Sequence, residues 1–356
     1  MPETESLTAI FQRLIAAFGP ITLQHYMGES NARYYAGKDP LGSGGDFITA
    51  PEISQMFGEL VGLWMVDIWT RAGTPGPVHY VELGPGRGTL ARDALRAMKR
   101  QGLEPQVHFV EGSEALRALQ REAVPQAQWH DDLATLPDDA PILLVANEFL
   151  DALPVRQLVR TPQGWRERMV DWQAAGADGK ARFLPVAGDK PMDAALPEHL
   201  KDSPEQTLVE TCPGAATVTD EIARRLAGQG GAALLIDYGY AEPRTGSTLQ
   251  ALKDHAKVDP FALPGEADLT CLVDFAAMAQ VALAGGARHL GTVTQGAFLR
   301  ALGIDMRAAQ LAAVAPQQSS AILGARDRLV DEEQMGELFK VMGLAAPAWP
   351  DGAGFR

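Results

Sequence analysis

Cysteine is almost missing from this chain: 356 residues hold two, Cys212 and Cys271, far apart and without a C-x-x-C neighbour. That excludes a disulfide framework and offers no zinc-ligand spacing. Positive charge is also scarce, with 31 Lys and Arg against 45 Asp and Glu and a formal charge of −14 at pH 7. Proteins that bind DNA or RNA neutralise phosphates with dense Lys and Arg, so nucleic acid is excluded as a substrate. An acidic surface instead suits a cationic partner such as a basic protein segment. Long apolar runs are lacking as well. Stretches such as Ala232 to Ile236 fall far short of the roughly 20 residues needed to cross a bilayer. The opening MPETESLTAI carries acids where an export signal has a basic segment. No membrane span and no secretory signal are expected, and the expected location is cytoplasmic.

What is present belongs to a globular protein, with 46% hydrophobic and 21% charged residues, enough to bury a large core. Apolar positions at helical spacing predict a helix from Leu7 to Phe18. A glycine-rich stretch, LGSGGDFITAPEIS, follows, and Thr49 or Ser54 is placed to cap a helix from about Gln55 to Arg71. From Val78 the pattern alternates. Short apolar strands VHYVELG, VHFVEG and ILLVANE are separated by helices at Thr89 to Gln101 and Ser113 to Glu122. Such alternation implies a parallel sheet buried on both faces, with ligands bound at the carboxyl ends of its strands.

Between Asp151 and Gly230 the alternation breaks into polar, proline-containing stretches with short β pieces at RERMVDW and ARFLPV, before AALLIDYG restores a buried strand. Helices are expected again at Leu272 to Ala284 and Arg326 to Met342. The domain reading is therefore a helical lead-in and lid over residues 1–77, the ligand-binding half of an α/β core over 78–150, a substrate-side insertion over 151–230, and the rest of the core with helices over 231–356.

The chemistry concentrates at three strand ends. After VHYVELG, the run Glu82-Leu83-Gly84-Pro85-Gly86-Arg87-Gly88-Thr89 places an acid before glycines at alternate positions and a helix. Glycines let the backbone turn sharply and a ligand lie against it without meeting a Cβ. A dinucleotide fingerprint is G-x-G-x-x-G and presents a helix N-terminus to a pyrophosphate; the alternating Gly84, Gly86 and Gly88 do not match it. They suit S-adenosylmethionine, which has no phosphate but carries an ammonium group within reach of Glu82. At the second strand end Glu111 is placed to accept both hydroxyls of a ribose, although alone it would also serve as a helix N-terminal acid. Asp131 or Asp132, in WHDDL, is the candidate for the adenine amino group.

The third end, Asn147-Glu148-Phe149-Leu150-Asp151, brings two carboxylates beside the presumed methyl donor. A guanidinium acceptor needs carboxylates to orient it, so Asn147, Glu148 and Asp151 are the candidate catalytic residues; a helix cap at Asp151 is the alternative reading. The sequence is not the N-P-P-Y loop of amide or base-amine methylation. Asp46, Thr49, Glu52 and Ser54, with Gly42, Gly44 and Gly45 as a hinge, form a candidate lid, and Thr49 is counted among the donor-binding residues. His255 and Asp259 are further polar candidates without metal-ligand spacing.

Together GDFITAPEISQMFGE, VELGPGRGTL, ANEFLDALPVRQ, IDYG, GSTLQALKDH, PGEADLT, QGAFLRALGI and MGELFKVM closely resemble the MidA-like family of methyltransferases over nearly the whole chain. The resemblance implies a class I, Rossmann-like methyltransferase fold, an α/β architecture with a seven-stranded, mostly parallel sheet. It implies S-adenosylmethionine as donor and a protein substrate with a target arginine, which in mitochondrial members lies in a core subunit of respiratory complex I. The cradle then maps to Glu82, Gly84, Gly86 and Gly88, the ribose acid to Glu111, and the acceptor side to Asn147, Glu148 and Asp151. The lack of a presequence suggests a bacterial-type cytoplasmic member. The chain departs from the family at Leu272, where a polar residue, often His, is expected; that puts substrate identity in doubt. Oligomeric state is left open. Two rival readings are a nicotinamide-dependent oxidoreductase and a non-catalytic docking protein that retains the fold.

Overall fold

The computed structural model describes residues 5–37, 49–175 and 181–355. Its chain divides into two compact units, one of residues 39–151, 216–242 and 273–356, the other of residues 1–38, 152–215 and 243–272.

The first unit is built on a sheet whose main strands are β1 (His79–Leu83), β2 (Gln106–Val110), β3 (Gln128–His130), β4 (Ile142–Asn147), β5 (Gly231–Tyr240), β6 (Arg288–Thr294) and β7 (Phe339–Ala345). They lie in the order β3-β2-β1-β4-β5-β7-β6. Strands β1 to β5 run parallel, and β7 is antiparallel to both β5 and β6. A two-residue strand, Val273–Asp274, adds in parallel to the end of β5. All of β1 and β4 is buried, as strands covered on both faces must be. Strand order reverses between β1 and β4, and in open α/β sheets the crevice at such a reversal, outside the carboxyl ends, is where ligands bind.

Helix Gln55–Arg71 packs on helix Thr89–Arg100, which follows β1 directly. The helices approach closely because Gly62 faces Ala94: a Cβ there would sit 2.5 Å from the Ala94 carbonyl oxygen. Ser54 caps the first of these helices, its hydroxyl accepting from the Met56 N–H at 3.2 Å.

One expected helix is not formed. In the segment Arg326 to Met342 the helix stops at Val330, and Phe339–Ala345 is instead the antiparallel strand β7. The apolar run is buried on both faces, where periodicity does not separate strand from helix. Pairing with β5 on one side and β6 on the other makes it a strand, and the Phe355 ring lies 2.5 Å from where a Gly343 Cβ would stand.

The second unit is antiparallel. Strand Gly164–Gln173 pairs with Ile21–Thr22, Arg156–Thr161 and Arg182–Pro191, and Arg156–Thr161 also pairs with Leu208–Thr211. Helices Leu7–Phe18 and Leu23–Gly37 supply Phe11 and Tyr26 to a core shared with Val170 and Phe183. A smaller sheet joins Gln250–Lys253 to Ala256–Val258 and Asp268–Thr270. His255 sits at the exposed tip of that hairpin with φ of 59°, and the Asp259 carboxylate accepts the Phe261 N–H, so both serve turns. The Leu272 N–H donates to the Thr248 hydroxyl at 3.0 Å.

Candidate active site

The sharp turn after β1 is made by glycines in the left-handed region, Gly84 at φ 58°, Gly86 at 55° and Gly88 at 78°. A side chain at Gly84 would be strained by its φ and would meet the Phe149 ring at 2.8 Å. Gly88 opens helix Thr89–Arg100 without a side-chain cap. Glu82, the last but one residue of β1, is 3% exposed. The Tyr80 hydroxyl donates to its carboxylate at 2.6 Å. Burial pushes the Glu82 pKa up to about 8, against the lowering effect of that hydrogen bond.

Glu111 follows β2, and its Oε1 accepts the Ser113 N–H at 2.8 Å. Its Oε2 accepts from the Gln120 amide at 3.1 Å, and the same amide donates to the Gly86 carbonyl at 2.8 Å. Gln120 Oε1 in turn accepts from the Trp129 indole at 2.8 Å. A fully buried amide thus ties the glycine turn to Glu111 and to β3. Burial raises the Glu111 pKa, opposed by the Ser113 and Gln120 hydrogen bonds and by the charge of Arg117. The Gly112 N–H adds a further hydrogen bond that lowers it. Gln120 was not foreseen from the sequence. Its signal was there: with Leu116 it forms the buried i, i+4 pair of helix Glu114–Ala123, a polar residue at an apolar position.

The two acids after β3 differ. The Asp132 carboxylate caps the turn Leu133–Thr135 through the Thr135 N–H at 3.1 Å. Asp131 pairs with Arg117 at 2.6 Å and its side chain is 85% exposed. Across β1 to β3 runs a chain of imidazoles, His79 to His108 at 3.0 Å and His108 to His130 at 3.0 Å, ending on Asp139 and Thr135. Burial, then the neighbouring His79 and His130, push the His108 pKa down to about 4.

After β4 the chain makes its most constrained turn. Asn147 ends the strand, and Glu148 holds φ 52°, a left-handed value for a residue that is not glycine. Such conformations cost about 1–3 kcal/mol and persist where surroundings impose them. The Glu148 N–H donates to the Ile236 carbonyl at 2.9 Å, and Asp237 of β5, 1% exposed, faces the residues that follow. Its Oδ2 accepts the N–H groups of Phe149, Leu150 and Asp151 at 3.2, 2.9 and 3.2 Å, and its Oδ1 accepts the Tyr238 N–H at 3.0 Å. The Tyr238 hydroxyl donates to Asp151. Burial, then the charges of Asp151 and Glu148, push the Asp237 pKa well up. Asn147 Oδ1 is buried with no hydrogen-bond partner among the described residues.

Helix Ala50–Ile53 joins two of these strand ends. The Ala50 N–H donates to Glu148 Oε1 at 3.0 Å, and the Thr89 hydroxyl donates to Glu52. Thr49 stands at the N-cap of this short helix without a side-chain cap bond. Asp46 and glycines 42, 44 and 45 of the expected lid lie outside the described residues. The glycine turn, Glu82, Glu111 and the acidic turn all sit at carboxyl ends of adjacent strands β1, β2 and β4. Among the described residues no group of three or more His, Cys, Asp or Glu is arranged for a metal ion, and no helix is long and apolar enough to cross a membrane.

A family model described as a putative S-adenosyl-L-methionine-dependent methyltransferase matches residues 60–293. The chain is 36% identical to the mitochondrial protein arginine methyltransferase NDUFAF7 of Mus musculus, over 96% of this chain and 85% of that protein. It is 36% identical to the human protein of the same name, with the same coverage. The fold is similar to a crystal structure of a likely methyl transferase from Burkholderia thailandensis bound to S-adenosyl-homocysteine. That likeness has a TM-score of 0.81 and 30% identity, over 95% of this chain and 91% of the other. These matches do not favour the oxidoreductase and docking readings. They also overturn the cytoplasmic placement, because the curated relatives are mitochondrial proteins. Low cysteine content and acidic charge do not distinguish one compartment from another.

Gln120→Leu keeps the side-chain volume but removes the bridge. Calorimetric titration is expected to show adenosylhomocysteine affinity reduced by roughly tenfold; affinity equal to the wild type would show that Gln120 only fills the core.

Proposed function

The chain belongs to the family of putative S-adenosyl-L-methionine-dependent methyltransferases, and from that membership we propose that it methylates an arginine side chain of a protein partner. The supporting observation is the acidic turn at the reversal of strand order, where Glu148, Asp151 and Asp237 are crowded beside the glycine turn. Curated relatives named protein arginine methyltransferases supply the acceptor class, and the family resemblance points to a subunit of respiratory complex I as the partner.

The residues at the strand ends fit the donor. A Cβ at Gly84 would meet the Phe149 ring, so the turn takes only glycine there, Glu111 is the acid for a ribose diol, and Glu82 is the acid for the ammonium end. Asp131, exposed and not used as a cap, is the better adenine candidate of the two aspartates. When bound, S-adenosylmethionine supplies a methyl group on a positively charged sulfur. Glu148 and Asp151 orient the guanidinium, and their charge favours its approach. Asn147 Oδ1, an unmatched buried acceptor, takes one of its N–H groups. The proton lost from the alkylated nitrogen passes to the carboxylate nearest it.

Two outcomes are expected. Glu148→Gln preserves shape and removes charge, so methyl transfer to an arginine peptide should fall by roughly a hundredfold or more with donor affinity unchanged; undiminished turnover would remove Glu148 from the reaction. The second concerns pH. With its pKa near 8, Glu82 is mainly protonated at neutral pH, and binding a cation there requires the carboxylate. Below that pKa a proton must leave, so adenosylhomocysteine affinity should rise by up to about tenfold per unit between pH 6 and 8, then level off. Glu82→Gln should bind weakly with no such slope, and a flat profile in the wild type would mean that Glu82 does not face the ammonium.

A further inference from the structure

The arrangement around β5 carries a role that the motifs did not suggest. Asp237 accepts four backbone N–H groups, three of them from the turn that presents Glu148 and Asp151. Without it, three amides of a buried turn would face no acceptor, in the turn where Glu148 stands at φ 52° and its own N–H donates to the Ile236 carbonyl. Its charge is placed against its own interest, next to two other carboxylates and out of water. Neutral Asn would fit the same space without that repulsion, but its amide has one acceptor atom and one donor atom. Either the three turn amides or the Tyr238 N–H would then face a donor. Only a carboxylate satisfies both sides at once.

We infer that Asp237 is a positioning residue, which locks the acceptor-side turn so that Glu148 and Asp151 meet the incoming cation in one geometry. This rests on reading Glu148 and Asp151 as the acceptor-binding pair. Tyr238 refines the same arrangement. Its backbone N–H completes the Asp237 shell and its hydroxyl donates to Asp151, so one residue links the clamp to a carboxylate it positions. Asp237 touches no reacting atom in this account and acts through the turn.

The test uses the full-length protein as wild type, Asp237→Asn and Tyr238→Phe, with two measurements. Hydrogen–deuterium exchange follows the amides of Phe149, Leu150 and Asp151 in the presence of adenosylhomocysteine. Steady-state kinetics follow methyl transfer to a synthetic arginine–glycine peptide. In Asp237→Asn those three amides should exchange at least about tenfold faster, and kcat should fall by roughly tenfold to a hundredfold. Adenosylhomocysteine affinity and KM for the peptide should stay within about twofold, a split that general loosening of the fold would not give. Tyr238→Phe should lower kcat while leaving the exchange of the three amides unchanged, because the Asp237 clamp remains. Unchanged exchange in Asp237→Asn would overturn the inference whatever the acceptor. So would an equal rise in KM and loss of donor binding, since Asp237 would then only support the fold. A wild type inert toward arginine peptides would overturn the arginine reading instead, and the exchange measurement would still decide the role of Asp237.

Discussion

Carboxylates held out of water toward the carboxyl ends of β2, β1 and β5 are the constraint to which the rest of this site answers. An unpaired buried charge is costly, so each acid must be met by donors or must keep its proton. Glu82 keeps its proton to about pH 8 and takes a hydrogen bond from Tyr80. Glu111 is met by the Ser113 amide and by Gln120. Asp237 is met by four amides. The start of the helix after β2 delivers a backbone donor to Glu111, and the turn after β4 delivers three to Asp237. The same arrangement leaves these strand ends primed for a ligand that brings positive charge of its own, as a sulfonium donor and a guanidinium acceptor both do.

How much of this was legible depends on the range of the interaction. The glycine turn, Glu82 and Glu111 stand next to their strands in sequence, and strand–turn–helix order is a local pattern; those positions fall at the carboxyl ends of β1 and β2. Asn147 and Glu148 were visible for the same reason. Asp237 lies some ninety residues from the turn it holds, separated by the strands of the second unit, and within IDYG it reads as an ordinary strand end. Gln120 is close in sequence to Glu111, but its bond to the Gly86 carbonyl is not a local pattern.

Phe339–Ala345 is an edge-to-centre insertion of an antiparallel strand between β5 and β6. Its apolar residues and those of a buried helix look alike one at a time, and what decides between them is the pair of strands waiting on either side. The exposed end of the site poses the same problem at smaller scale: Asp131 and Asp132 are adjacent and chemically identical, and only the turn that Asp132 caps assigns them different work.

The turn after β1 is read as a cradle for an S-adenosyl donor, which calorimetric titration with adenosylhomocysteine checks on the wild type and on Gly84→Val. The wild type should bind tightly and one-to-one and the variant not at all, because its side chain enters a left-handed position already bounded by Phe149. A wild-type protein that is fully folded and does not bind, or a variant that binds as well, would contradict it.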